Sequence, residues 1–203
     1  MKRLMSRVSL CLILAVFFWC GTLLSDSRRL HEELIRLHVV ANSDSQEDQQ
    51  LKLRVRDAVT ESLKQNLRNV TDADRAKQYI QEKLPYIQSV AQHVLEAEGC
   101  SDPVAVSFCQ EAFATRAYDT FILPAGIYNS LRILIGTGQG HNWWCVVFPE
   151  LCIPVSTADF REVAAGAGFP EGLNGALSGE NGYELRFGIL DAIGKLENLL
   201  SAG

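Results

Sequence analysis

The chain has no glycine-rich phosphate loop, no dinucleotide-binding fingerprint and no serine nucleophile elbow, so the nucleotide-dependent enzymes and serine hydrolases that those motifs mark find no support. It also lacks an excess of basic residues. Nineteen Lys and Arg against 24 Asp and Glu leave a formal net charge of -5, whereas nucleic-acid binding needs a basic face that displaces phosphate counterions. No nucleic-acid partner is expected. The four histidines, His31, His38, His93 and His141, are spread without metal-ligand spacing, so neither a metal nor another cofactor is expected.

What is present begins with Lys2, Arg3 and Arg7 followed by an uncharged run over residues 8–24, the layout of an export signal whose basic end stays inside. A helix over that run rises about 25 Å, against about 30 Å for a hydrocarbon core. Length alone therefore fits a cleaved signal and a tilted anchor equally. The expected organisation is residues 1–27 as signal peptide or N-terminal signal anchor and residues 28–203 as one secreted domain, which meets the membrane only through the N-terminal segment. With 47% hydrophobic residues the chain can build one core. Because the first 25 residues hold three basic groups and no acid, the exported part is more acidic than the whole.

Residues 124–154 hold the densest apolar stretch outside the N-terminus. Residues 127–135 and 142–148 read as two strands, and Gly136, Gly138 and Gly140 between them suit a tight reversal, so a central β-hairpin is expected. In the second arm Trp143, Cys145 and Val147 alternate with Trp144, Val146 and Phe148, and neither face is polar. That arm is expected to be an inner strand covered on both sides.

Residues 34–40 read as a short strand. Ser45 and Asp48 fit a capping box before a helix over 46–67, whose stripe is Leu51, Val55, Ala58, Val59 and Leu63. A second helical stretch starts near Thr71 and Asp74 and stops at Gly99, with Pro85 either kinking it or dividing it at Leu84. Residues 104–110 alternate as a strand, and 113–123 read as another extended run. Six glycines between Gly166 and Gly182 predict a mobile loop over about 158–182. Leu185, Ile189, Ala192, Ile193, Leu196 and Leu200 form the stripe of a C-terminal helix, with 183–187 readable as a short strand. The fold class is α+β: N-terminal helices packed on a mainly antiparallel sheet with a central Gly-rich hairpin, and a C-terminal helix.

Past the N-terminal segment lie Cys100, Cys109, Cys145 and Cys152, an even number in a compartment where disulfides persist. Pro149 offers the chain reversal that Cys145 and Cys152 need in order to pair, and that disulfide is expected; the alternative is two buried thiols. Cys100 and Cys109 are a second candidate pair. His141 and Cys145 raise the possibility of a cysteine-dependent hydrolase, but on one strand they would stand about 13 Å apart, beyond hydrogen-bond reach. Asn42, Ser43 and Asp44 read as helix entry, and Asp44, Glu47 and Asp48 as acids that favour the helix dipole. No catalytic group emerges. A contact surface formed by Gly138, Gln139, Gly140, His141, Asn142, Trp143 and Trp144 is a better reading than catalysis, because a glycine-rich segment lets a partner approach closely and tryptophan is enriched at binding hot spots. Two alternatives stand equally beside it: the glycines only close the hairpin, and both tryptophans are buried.

AGIYNSLRILIGTGQG at 125–140, NWWC at 142–145, the FPxLC pattern at 148–152 and IRLHVVANSDSQEDQQLKLRVRDAV at 35–59 together resemble the stage II sporulation protein R family. The second block contains Asn42, Ser43, Asp44, Arg56 and Asp57 as family-motif residues. Near the C-terminus Arg186 and Phe187 fit the family pattern and Gly188 departs from it. What the resemblance implies is a secreted sporulation signal, made in the forespore and acting across the intermembrane space. Its partner would be a membrane-embedded aspartic protease in the mother cell that processes the pro-form of sigma E. The chain would be an activator rather than an enzyme.

Overall fold

The computed structural model describes residues 2–68, 70, 72–118, 121–149 and 185–201. The glycine-rich segment at 158–182 and Cys152 lie outside them. The elements are α1 (Lys2–Glu33), β1 (Ile35–Val40), α2 (Gln46–Leu67), α3 (Ala73–Glu82), α4 (Leu84–Ala97), β2 (Val104–Phe113), β3 (Arg116–Ala117), β4 (Ile122–Leu123), β5 (Gly126–Ile135), β6 (Asn142–Phe148) and α5 (Leu185–Ser201).

The main sheet has the order β2-β5-β1-β6, and β3 pairs with β4 as a separate two-stranded sheet. β1 runs parallel to β5 and antiparallel to β6, while β2 and β5 are antiparallel, so the sheet is mainly antiparallel as its sequence suggests. The central hairpin does not form. β1 lies between the two expected arms, and the segment after β5 crosses the end of β1 instead of reversing tightly. Nor is residues 142–148 an inner strand: β6 is at the sheet edge, and its first two residues are exposed. The central position goes to β1 because five of its six residues are buried, which suits a strand enclosed on both sides better than a strand that begins with Asn142 and Trp143.

Ile35, Leu37 and Val39 face one core, where the buried stripe of α2 (Leu51, Val55, Val59, Leu63, Leu67) meets Ile87, Ala91 and Leu95 of α4. Each buried Val, Leu or Ile among them contributes about 1.5–3 kcal/mol. The opposite sheet face meets Leu30 of α1, Leu34 and Leu190 of α5 in a second core with Phe113, Phe121, Tyr128 and Val146. The sheet is thus covered on both faces, by α2 and α4 on one and by the end of α1 and α5 on the other.

Local chemistry sets the helix boundaries. Ser45 Oγ accepts the Asp48 N–H at 3.1 Å, the expected cap of α2. Between the expected alternatives at Pro85, the chain divides: α3 ends at Glu82 and α4 begins at Leu84 with proline in its first turn, where no helical N–H is needed. Gly99, at φ 75°, ends α4, with the Cys100 N–H bonded to Leu95 O at 2.9 Å and the Gly99 N–H to Glu96 O at 3.0 Å.

Two further expectations are overturned. Cys100 and Cys109 are free thiols rather than a pair, since β2 carries Cys109 about 16 Å beyond Val104 at ordinary strand rise. Residues 185–187 are helical, and the buried face of α5 is not the expected leucine stripe: Leu196 and Leu200 are exposed, while Leu190 and Asp191 are buried. A Cβ on Gly194 would stand 1.6 Å from Ala125 O, so backbone approach sets the helix rotation. The Asp191 carboxylate fixes it further, accepting the Ala125 N–H at 2.9 Å and the Thr115 hydroxyl and pairing with Lys195 at 2.7 Å.

Candidate functional site

Because β1 and β5 are parallel and adjacent, the segments that leave them meet at one end of the sheet. The Asn42 side chain joins them: its Oδ1 accepts the Thr137 N–H at 2.9 Å and the Thr137 hydroxyl at 3.0 Å, and its Nδ2 donates to Asp48 Oδ2 at 3.2 Å. Backbone bonds run alongside, from Gln139 N to Asn42 O at 3.1 Å and from Gly140 N to Ala41 O at 2.9 Å. Ser43 donates its hydroxyl to Asp48, and Gln49 Nε2 donates to Ser43 O at 2.9 Å.

The glycines serve this contact rather than a hairpin. Gly136 and Gly138 have φ of 57° and 63°, a region that L side chains avoid. A Cβ on Gly140 would lie 2.2 Å from Ser43 O. Asp44 Oδ1 accepts the His141 N–H at 2.6 Å and also meets its ring Nδ1. Lys52 Nζ, on α2, donates to His141 O at 2.9 Å. The loop is therefore held from both sides while the His141 side chain stays 77% exposed.

Trp143 and Trp144 follow on opposite faces of β6. The Arg56 guanidinium lies 4.3 Å from the Trp143 ring centroid, and its Nε donates to Asp57 Oδ1 at 2.7 Å, so the motif block at 35–59 meets the block at 142–145 through Arg56. The Trp144 ring meets the Arg116 guanidinium, 3.9 Å from its centroid, and stacks with the His38 ring at 5.6 Å. Asp44, Arg116, Gly140, His141 and Trp144 line a shallow cleft of about 590 Å³. Of the residues expected at the contact surface, Gln139, Gly140, His141, Asn142 and Trp144 form the rim of this cleft with Asp44, and Gly138 leads into it, while Trp143 lies with Arg56 on the other face of β6. Asn42 and Ser43 brace the rim from the β1 side, and among the described residues Asp57 meets only Arg56.

A half-buried polar network escaped the sequence reading. His38 Nδ1 meets Glu111 Oε1 at 3.2 Å, its Nε2 meets Asn142 Oδ1 at 3.1 Å, and Arg132 Nε lies 3.5 Å from Glu111. Burial pushes the Glu111 carboxyl up, but the His38 hydrogen bond and the Arg132 charge outweigh it and hold it below the ordinary carboxylate range. The signal was alternation within β1, which sets His38 on the face opposite Leu37 and Val39, but its cross-sheet partners come from three other segments.

The structure does not bring together a Cys145 and His141 pair. Cys145 is 5% exposed in the core beneath α2 and α4, whereas the His141 ring is held by Asp44 at the rim. Among the described residues no group of His, Cys, Asp and Glu is placed to hold a metal ion.

The chain is 41% identical over 121 residues to stage II sporulation protein R of Bacillus subtilis (strain 168), a match that covers 60% of this chain and 54% of that protein. It therefore spans about half of that relative's length. No solved structure matches it. The family model for stage II sporulation protein R matches residues 31–158, which include the whole Asn42 to Thr137 junction and both tryptophans, and the chain belongs to that family of sporulation proteins.

Proposed function

We propose that this chain is an exported sporulation signal that activates a membrane-embedded aspartic protease, which then processes the pro-form of sigma E. The observation that carries the reading is the joining of the two motif blocks into one braced rim, which leaves His141 and Trp143 exposed without assembling a catalytic group around them. A rim fixed in advance loses little conformational freedom on binding, which suits recognition. Family membership supports the sporulation role.

Export across the forespore membrane fits the basic residues and uncharged run at the N-terminus. α1 continues from that run into the domain, exposing Leu10, Leu12, Ile13, Leu14 and Phe18 before Leu30 enters the core. A retained segment at 8–24 would anchor the domain to the membrane. In that oxidising space Cys145 pairs with Cys152.

An activator without chemistry shifts a protease only by binding its active state better than its inactive one. A tenfold shift needs about 1.4 kcal/mol of differential affinity, and a change from mostly off to mostly on needs about 5.5 kcal/mol. The second figure requires a cluster of contacts, and the exposed His141 and Trp143 side chains beside the cleft support assigning that cluster to the rim. The test is reconstitution of the full chain with the protease and its pro-protein in membranes. Processing that depends on this chain supports the reading, and equal processing without it overturns the reading.

A further inference from the structure

We propose that the outer edge of β6, along Asn142, Trp143 and Trp144, receives an extended acidic segment of a partner protein by strand addition. The inference rests on the reading that the chain acts through a protein partner, and it names how that partner is held. β6 is bonded to β1 along one side and occupies the end of the sheet order, so among the described residues no strand uses its other side. Its first two residues are exposed, and unused N–H and C=O groups of an edge strand form a template for another extended chain.

The charges beside this edge select the occupant. Arg56 lies over Trp143 on the α2 face, and Arg116 lies over Trp144 on the opposite face. Successive side chains of an added strand point to opposite faces, so two adjacent acidic residues in it would reach one arginine each. Arg56 already shares its charge with Asp57. Arg116 is exposed, and among the described residues no carboxylate pairs with it. The cleft of about 590 Å³ beside Arg116 leaves room for an entering carboxylate, and the carboxylate already in its lining, Asp44, is engaged by the His141 N–H and ring and not by Arg116. Two copies of the chain meeting edge to edge would bring like arginines together, which disfavours self-association through this strand.

The probe is a blocked hexapeptide, Thr-Val-Glu-Glu-Val-Thr, titrated into the full chain with tryptophan fluorescence and amide hydrogen exchange as readouts. Controls are the same peptide with both Glu replaced by Gln, the same peptide with alternate backbone nitrogens methylated, and Arg116→Ala in the protein. The proposal expects binding with slowed exchange at residues 142–144. It expects affinity at least tenfold lower for the Gln peptide and for Arg116→Ala, and none for the methylated peptide. No binding at millimolar peptide, binding that survives methylation, or protection elsewhere on the chain overturns it. If the chain drives pro-protein processing and excess probe does not compete, strand addition fails while signalling stands. If the probe binds as expected and processing does not depend on the chain, the signalling reading fails instead.

Discussion

Asn42 Oδ1 accepts the Thr137 N–H at 2.9 Å across 95 positions of sequence, and this bond joins the exit of β1 to the exit of β5. The same side chain also takes the Thr137 hydroxyl and donates to Asp48. Asn42→Ala removes all three contacts at once and leaves the Thr137 N–H without its partner. The expected loss is about 2 kcal/mol of stability. Asn42→Asp should be at least as harmful, because it sets a second carboxylate against Asp48. Denaturant unfolding midpoints check both; values equal to the parent chain would show that the junction is not held by Asn42.

Gly194→Ala is expected to destabilise, against the usual direction. In an exposed helix interior this change gains about 1 kcal/mol. Here the new Cβ would lie 1.6 Å from Ala125 O, a clash with backbone that no side-chain rotation relieves. α5 must move away, breaking the Asp191 bond to Ala125 N. Faster amide exchange across α5 together with a lower unfolding temperature is the expected outcome.

Burial lowers the pKa of His31 from its ordinary 6.5 to about 4. Its ring lies edge-on to Tyr128 at 4.6 Å and its Nε2 has no hydrogen-bond partner, and these outweigh Glu197 at 3.5 Å from Nδ1. The unfolded chain takes up the proton first as pH falls, so the contribution of His31 to stability is complete above about 6.5 and is lost between about 6.5 and about 4. The full loss is on the order of 3 kcal/mol. His31→Gln should show a shallower fall in unfolding free energy than the parent over that range. Parallel curves would contradict the assignment.

Cys145 and Cys152 are expected to be joined in native exported material. Closure of so short a loop contributes roughly 2.5 kcal/mol in the loop-entropy description. Intact mass should be two hydrogens lower before reduction than after, and peptide mapping should connect these two cysteines. Free thiols at both positions would exclude the bond.

The sequence disclosed the helices and most strands because their signals are local. Ser45, Pro85 and Gly99 each act within one or two turns of themselves, and all three stand where a boundary falls. Strand order is not local. The apolar alternation of residues 142–148 reads as an inner strand, yet nothing within it tells that β1 will lie between it and β5. The rotation of α5 was hidden for a related reason: Gly194 and Asp191 answer to Ala125 on a distant segment, while the leucines that dominate the helical pattern face outward. At the rim, residue types pointed to Gly138 through Trp144 as a contact surface. Its bracing by Asn42, Asp44 and Lys52 required the parallel pairing of β1 with β5.

The rim should matter for activation in proportion to what its side chains present outward. Asp44 holds the His141 backbone and ring together, so Asp44→Ala frees the loop, whereas His141→Ala keeps the backbone bond and loses only the exposed ring with its contact to Asp44, and Gln139→Ala removes an exposed side chain. If the partner reads this surface, His141→Ala and Gln139→Ala each lower pro-protein processing severalfold with thermal unfolding unchanged. Asp44→Ala should lower it by tenfold or more, the equivalent of about 1.4 kcal/mol of differential binding. The comparison is made at equal concentrations of purified chain. Full processing with His141→Ala and Gln139→Ala, combined with loss on substitution at Ser43 and Asp48, would move the contact surface from this loop to the start of α2.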